Sequence, residues 1–501
     1  MKKIYTYLLM LSALWFATGC SDNANFLYQE ATDVPQLLSY GFFAEDNPDV
    51  LAKDYVADLS AKGQGTSTIN VQIAMPSTVK RNRLVARFTT TDGTSVKIAD
   101  EEQTSQQSVH DFTQPVDYII TKSGRSVRFA VTVTKAMNQK WVERATFDQL
   151  TTYGAPIMLI NPVTNMPYVA FKIRSNSDNR PVVLKLSKDN KWEYVGGEGF
   201  GHKISGSNFD FDFATDGTPY VAYGDQEAKT SGALSVQRFD GGSWSFVGNA
   251  GVFDGQSNYV SLAVLGDGEI VATQINAARK GEFARSKLVV SNYKDGAWKS
   301  QVSGLISNDV YVSNGAKGVN TAYVMAINRG KVNDVNYGQG VLKYENGTWT
   351  ALKENFIQPG NTLNNIAMDG MSVAPDDTPY IWTLDNVSGA DAMRVEYYDK
   401  SAAKWFTLGG NVLPLGFVPG RNTQLDLAVT TDGTPYLVYG NSADQGYPYF
   451  MYLDQDTQQW SDPVKLADFK AGSVSIVFSK TGVGYITCTD PSGYLHTFIY
   501  E

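Results

Sequence analysis

The chain has three histidines, His110, His202 and His496, and no two of them form a spaced pair. That arrangement supports neither a transition-metal cluster nor a histidine-based nucleophile relay. No glycine-rich phosphate loop stands between a strand and a helix. The side chains left to do chemistry are carboxylates, arginines and tyrosines. In Phe209-Asp210-Phe211-Asp212-Phe213 the aspartates alternate with phenylalanines, so on a strand Asp210 and Asp212 share one face. Asp426 recurs at the same place in a later segment of similar pattern. Asp210 and Asp426 facing a common lumen could hold a cation such as Ca²⁺. A hydrated lining without metal is the simpler expectation, and no other cofactor is called for. Carboxylate pairs for glycoside cleavage stay open, because the chain has 51 acidic residues and their separations are not legible.

The elements that must position these groups are set by a repeat. After residue 136, Trp141, Trp192, Trp244, Trp298, Trp349, Trp405 and Trp460 recur at steps of 51, 52, 54, 51, 56 and 55 residues. A second marker runs in phase at Pro167-Tyr168, Pro219-Tyr220, Pro379-Tyr380 and Pro435-Tyr436. Residues 207–248 read as four short strands separated by Asp216-Gly217, a longer connection and Asp240-Gly241-Gly242. Four antiparallel strands in about 50 residues are the pattern of a propeller blade. The stretch ending at Glu501 stops after a third strand, whereas Trp141–Thr146 is a fourth strand with none before it. The expectation is an all-β chain whose residues 136–501 form a seven-bladed β-propeller, closed by N-terminal strand exchange into the last blade. An open array of β modules is the alternative. The tryptophans are expected to pack between blades. "DGGSW" at 240–244 is similar to the Asp-box of sialidase propellers but one residue short, and hairpin chemistry explains it without kinship.

Strand direction sorts the loops into two faces. Tight Asp-Gly and Asn-Gly turns lie on one. The long connections 197–206, 249–258, 274–286, 328–339, 354–365 and 409–422 lie on the other. Long loops on a rigid scaffold are where binding residues collect. Candidates there are Arg174, Arg180, His202, Tyr259, Arg279, Arg285, Arg329, Arg421 and Tyr447, types that suit polar ligands or protein partners. Alignment on the Asp-Gly turns gives a channel lining of Asp210, Asp212, Ser261, Ser313, Asp426 and Ser475, with Met158 in the first blade.

The 501 residues carry 42 basic and 51 acidic side chains, a net charge of −9. Such a chain has no general attraction for nucleic acid. The N-terminus reads as an address. Lys2 and Lys3 precede an apolar run from Ile4 to Ala17, too short for a membrane span. Ala17-Thr18-Gly19-Cys20 then resembles a bacterial lipobox, which implies removal of residues 1–19 and lipidation of Cys20. Residues 20–33 would be a tether, of which residues 21–33 reach roughly 45 Å when extended. Only Cys488 remains, so no intramolecular disulfide is expected.

Residues 34–135 read as a small sandwich of alternating strands, with Asp92-Gly93 and Ser123-Gly124 as turns. "GFFAEDNP" at 41–48, "LVARFTTTDG" at 84–93 and "DFTQPVDYIITKSGRSVRFAVTV" at 111–133 resemble the N-terminal immunoglobulin-like modules of Bacteroidetes surface lipoproteins. The resemblance implies an Ig-like spacer at the outer membrane or cell surface. The expected function is non-enzymatic: a lipid-anchored monomer binding a glycan or surface protein through the long-loop face, membrane contact being confined to the anchor. A polysaccharide-acting hydrolase or lyase, and a structural or adhesive partner of an outer-membrane complex, are the alternatives.

Overall fold

The computed structural model describes residues 34–59, 68–136, 140–174, 178–306, 309–329, 338–356, 369–387, 390–410 and 425–501. Cys20, the tether and Arg421 lie outside them. Among the described residues the chain is almost entirely β, and no helix is long and apolar enough to cross a membrane. It divides into two compact units, with the division between Asn138 and Gln139.

In the first unit, Leu37–Phe42 pairs with Tyr55–Val56 and Arg87–Thr90 in a three-stranded sheet. A second sheet runs Thr68–Met75, Arg125–Lys135, Val116–Lys122, Ser95–Ile98, Glu101–Glu102. Ser123 and Gly124 both take positive φ, the conformation a two-residue hairpin requires. The alternating Phe129, Val131 and Val133 and the alternating Val116, Tyr118 and Ile120 are buried with Leu37, Tyr40, Phe42 and Phe88 in one core. Thr68–Met75 runs parallel to Arg125–Lys135, a pairing that alternation alone does not reveal. His110 sits on a short strand paired with Leu84–Val85, its ring bonded to Gln103.

The second unit is β-propeller-like. Its described strands form seven successive antiparallel sheets, each with a four-stranded path. Thr152–Ile160, Ile204–Phe213, Ser257–Val264, Asp309–Lys317, Asp369–Val373 and Leu425–Val429 are the first strands of six of them. Each lies against the first strand of the next sheet. Val474–Phe478, first strand of the seventh, lies against both Leu425–Val429 and Thr152–Ile160. The seventh sheet takes its fourth strand from the start of the unit, for Trp141–Phe147 pairs antiparallel with Leu495–Tyr500, Trp141 opposite Tyr500 and Phe147 opposite Leu495. Arg144 binds both Glu501 carboxylate oxygens across this seam, and Glu143 binds His496 Nδ1 at 2.8 Å.

The tryptophan repeat has a structural counterpart. Trp244 Nε1 donates to the Val195 carbonyl at 2.9 Å, Trp298 to Val247 at 2.7 Å, Trp405 to Leu352 at 3.0 Å and Trp460 to Leu408 at 3.4 Å. In each case the acceptor lies three residues past the preceding tryptophan. The indole thus buries its rings between sheets and satisfies its one donor on the neighbour's backbone. Trp141 and Trp349 bury the same nitrogen without a partner among the described residues. Turn residues add further links, Asn161 Nδ2 to the Gly217 carbonyl and Asn320 Oδ1 to the Gly266 amide.

Candidate functional site

Residues of all seven first strands line one cavity of about 930 Å³. Asp210, Asp212, Ser261, Asp426 and Ser475 are on its wall. Ser313 is not. It is 2% exposed, with its hydroxyl toward the Tyr259 carbonyl, and Asn314 takes the lining position. The cause is the connection that follows. Phe213 pairs with Pro219 across five residues, but Lys317 pairs with Ala322 across four. One residue fewer shifts the register by one and turns each side chain to the other face. In the first sheet the connection is one residue longer, so Ile157 holds the register of Asp210; Ile157 and Met158 both border the cavity, and Met158 also packs with Val169 and Phe171.

The channel aspartates have a specific occupation. The first strand of each sheet has one edge without a neighbouring strand, and its amides need acceptors. Asp210 Oδ2 accepts from the Leu262 amide at 2.7 Å and Asp212 Oδ2 from Val264 at 2.6 Å. Asp426 Oδ2 accepts from the Ile476 amide and the Ser475 hydroxyl, both at 2.9 Å. In every case the carboxylate of one sheet caps the edge of the next. Lys317, from the fourth sheet, pairs with Asp212 at 3.2 Å and bonds the Phe213 carbonyl. Desolvation raises the pKa of all three carboxyls, that of Asp210 to about 7 despite the Phe211 and Leu262 donors. Asp210 and Asp426 therefore each spend an oxygen on the backbone of the neighbouring sheet. Among the described residues no group of three or more His, Cys, Asp or Glu side chains could hold a metal ion.

The long-loop candidates are dispersed. His202 Nδ1 binds the fully buried Asp225 at 2.9 and 3.1 Å, and the ring lies 4.9 Å from Phe246. Asp225 also accepts from Ser235 and the amides of Glu227 and Ala228, so it fixes loop and imidazole together. Among the described residues Nε2 has no protein partner, and it can donate to, or accept from, a ligand hydroxyl. Arg180 is held by Asp178 at 2.8 Å and by the Gly199 carbonyl. Arg174, Arg279 and Arg285 are exposed. Tyr259 is 41% exposed at a φ of 51°. Tyr447 is half-buried under the Lys465 ammonium, 4.1 Å from its ring centre. The backbone of Arg329 pairs with Asp309. Sequence reasoning missed Tyr153 and Tyr311, which are 48% and 53% exposed.

Residues 59–133 match the family described as "SGBP, N-terminal". No curated protein matches the chain in sequence. Among solved structures it is similar to a PL25 ulvan lyase bound to -[GlcA(1-4)Rha3S]-, at 12% identity and a TM-score of 0.48 over 72% of this chain and 96% of that one. It is also similar to the β-propeller domain of the Trilobed protease from Pyrococcus furiosus, at 10% identity and a TM-score of 0.44 over 70% and 96%. A third is a protein of unknown function from Bacteroides thetaiotaomicron VPI-5482, at 12% identity and a TM-score of 0.41 over 89% and 98%.

Proposed function

We propose that this chain is a non-enzymatic, lipid-anchored surface protein that binds a glycan. The match of residues 59–133 to the N-terminal family of surface glycan-binding proteins carries the reading. In this reading Cys20 bears the lipid, residues 20–33 are the tether and residues 34–135 are an Ig-like spacer. Residues 136–501 are a seven-bladed propeller, and the pairing of Trp141–Phe147 with Leu495–Tyr500 closes it. The glycan meets the long-loop face, where Arg174, His202, Tyr259, Arg279, Arg329, Arg421 and Tyr447 supply donors, acceptors and ring faces. A pyranose offers hydroxyls to the first kind of group and a C–H face to the second.

The test uses the chain from Ser21 onward. Affinity electrophoresis and titration calorimetry against laminarin, xyloglucan, galactomannan, polygalacturonate and chondroitin sulfate measure binding. Reducing-end release and absorbance of unsaturated sugar measure turnover. Retention without product is the expected result. Product release defeats the non-enzymatic reading, and retention of none of the five defeats glycan binding.

A further inference from the structure

Four tyrosines of the second unit are exposed among the described residues, and three of them occupy corresponding places. Tyr153, Tyr259 and Tyr311 each lie near the start of a first strand, in the first, third and fourth sheets. That end is where the long fourth-to-first connections enter. Each also adjoins a break in strand register, between Tyr153 and Ile157, between Asn258 and Ser261, and between Val310 and Val312. Bulges of this kind re-aim a side chain that regular alternation would bury. The cavity wall begins just beyond two of them, at Ala155 and at Val260.

Two details set these rings apart from ordinary surface tyrosines. Tyr259 takes a φ of 51°, a left-handed conformation that is strained for a bulky side chain. Its carbonyl accepts from Ser313, which ties it to the strand carrying Tyr311. The Tyr153 ring is backed by the Lys172 ammonium, 4.6 Å from the ring centre, and Lys172 is itself buried and bonded to the Gly206 carbonyl. A cation on one side of a ring fixes its plane and leaves the other side for a ligand.

We infer that Tyr153, Tyr259 and Tyr311 form an aromatic platform at the long-loop mouth of the channel, on which successive pyranose rings of one saccharide chain stack. The inference rests on the glycan-binding reading above and names the site within it. Recognition by ring faces accepts sugars that expose a continuous C–H face, so the occupant is an extended oligosaccharide segment rather than a terminal monosaccharide.

The experiment compares the Ser21-onward chain with the triple variant Tyr153→Ala/Tyr259→Ala/Tyr311→Ala, the triple Tyr→Phe variant and a control at two exposed lysines of the tight-turn face, Lys188→Ala/Lys404→Ala. The probes are the five polysaccharides named above, and circular dichroism reports folding. Loss of one stacking ring weakens binding about two- to tenfold, so the triple alanine variant should lose about eightfold or more. The phenylalanine variant, which keeps the faces and drops the hydroxyls, should stay within about threefold, as should the control. If the folded alanine variant binds as well as wild type, the platform is wrong while glycan binding stands. If the phenylalanine variant loses as much as the alanine one, stacking is wrong. Absence of binding by the wild-type chain to all five overturns the platform and the glycan reading together.

Discussion

The stability of the second unit should fall as pH rises from about 4 to 7, and Asp210 should account for a measurable part of that fall. Its carboxyl titrates near 3.8 in an unfolded chain and is pushed up to about 7 in the fold by burial, with Asp212 adding in the same direction. Below pH 3.8 it is protonated in both states and the difference contributes nothing. Between 3.8 and 7 the unfolded chain releases this proton while the fold retains it, so each step upward favours unfolding. Above 7 the penalty is complete, about 4 kcal/mol at most from the separation of the two values. Asp212 and Asp426 shift the same way and steepen the trend. Urea unfolding followed by tryptophan fluorescence at pH 5 and pH 8, on wild type and Asp210→Asn, measures the effect. The asparagine also places an amide where the Leu262 N–H needs an acceptor, which lowers stability at both pH values. The informative quantity is therefore the change in pH dependence. The wild type should lose about 2–3 kcal/mol more than Asp210→Asn between the two values. Equal losses would refute a buried carboxyl ionising late.

Asp426→Ala should destabilise by about 1–3 kcal/mol in thermal denaturation, because it leaves the Ile476 amide without its acceptor. The exposed hairpin residue Asp216, whose carboxylate takes the Thr218 amide, should tolerate the same change with less loss. Gly409→Ala should cost about 1–3 kcal/mol, since a Cβ there, at a φ of 63°, would lie 2.2 Å from Trp460 Cδ1. Ala145→Pro, in the strand facing Thr497, should lower stability by about 2–4 kcal/mol. Hydrogen exchange should then show Leu495–Tyr500 losing protection first.

What could be read in advance follows what is local in sequence. The tryptophan interval survives because each sheet needs one outer-strand indole against its neighbour, whatever the loops between do. The shared face of Asp210 and Asp212 follows from strict alternation with Phe209, Phe211 and Phe213. Their acceptor role was hidden, because the Leu262 and Val264 amides they bind come from another sheet. Ser313 was misplaced by a connection one residue short, and one residue decides which face a side chain occupies. Tyr153 and Tyr311 were overlooked for a related reason: a bulge breaks the alternation by which facing is judged.

The seam between Trp141–Phe147 and Leu495–Tyr500 has a topological consequence. It joins residues some 350 positions apart, as a covalent crosslink would, in a unit whose one described cysteine, Cys488, is buried and free. Lys140 and Glu501 exchange both amide–carbonyl bonds, so neither extremity can fray without breaking its hold on the other. Excising a whole number of repeats would leave that half-and-half sheet intact and remove only sheets between its two halves. Trimming either extremity by a single strand would expose a raw edge to proteases and to other chains.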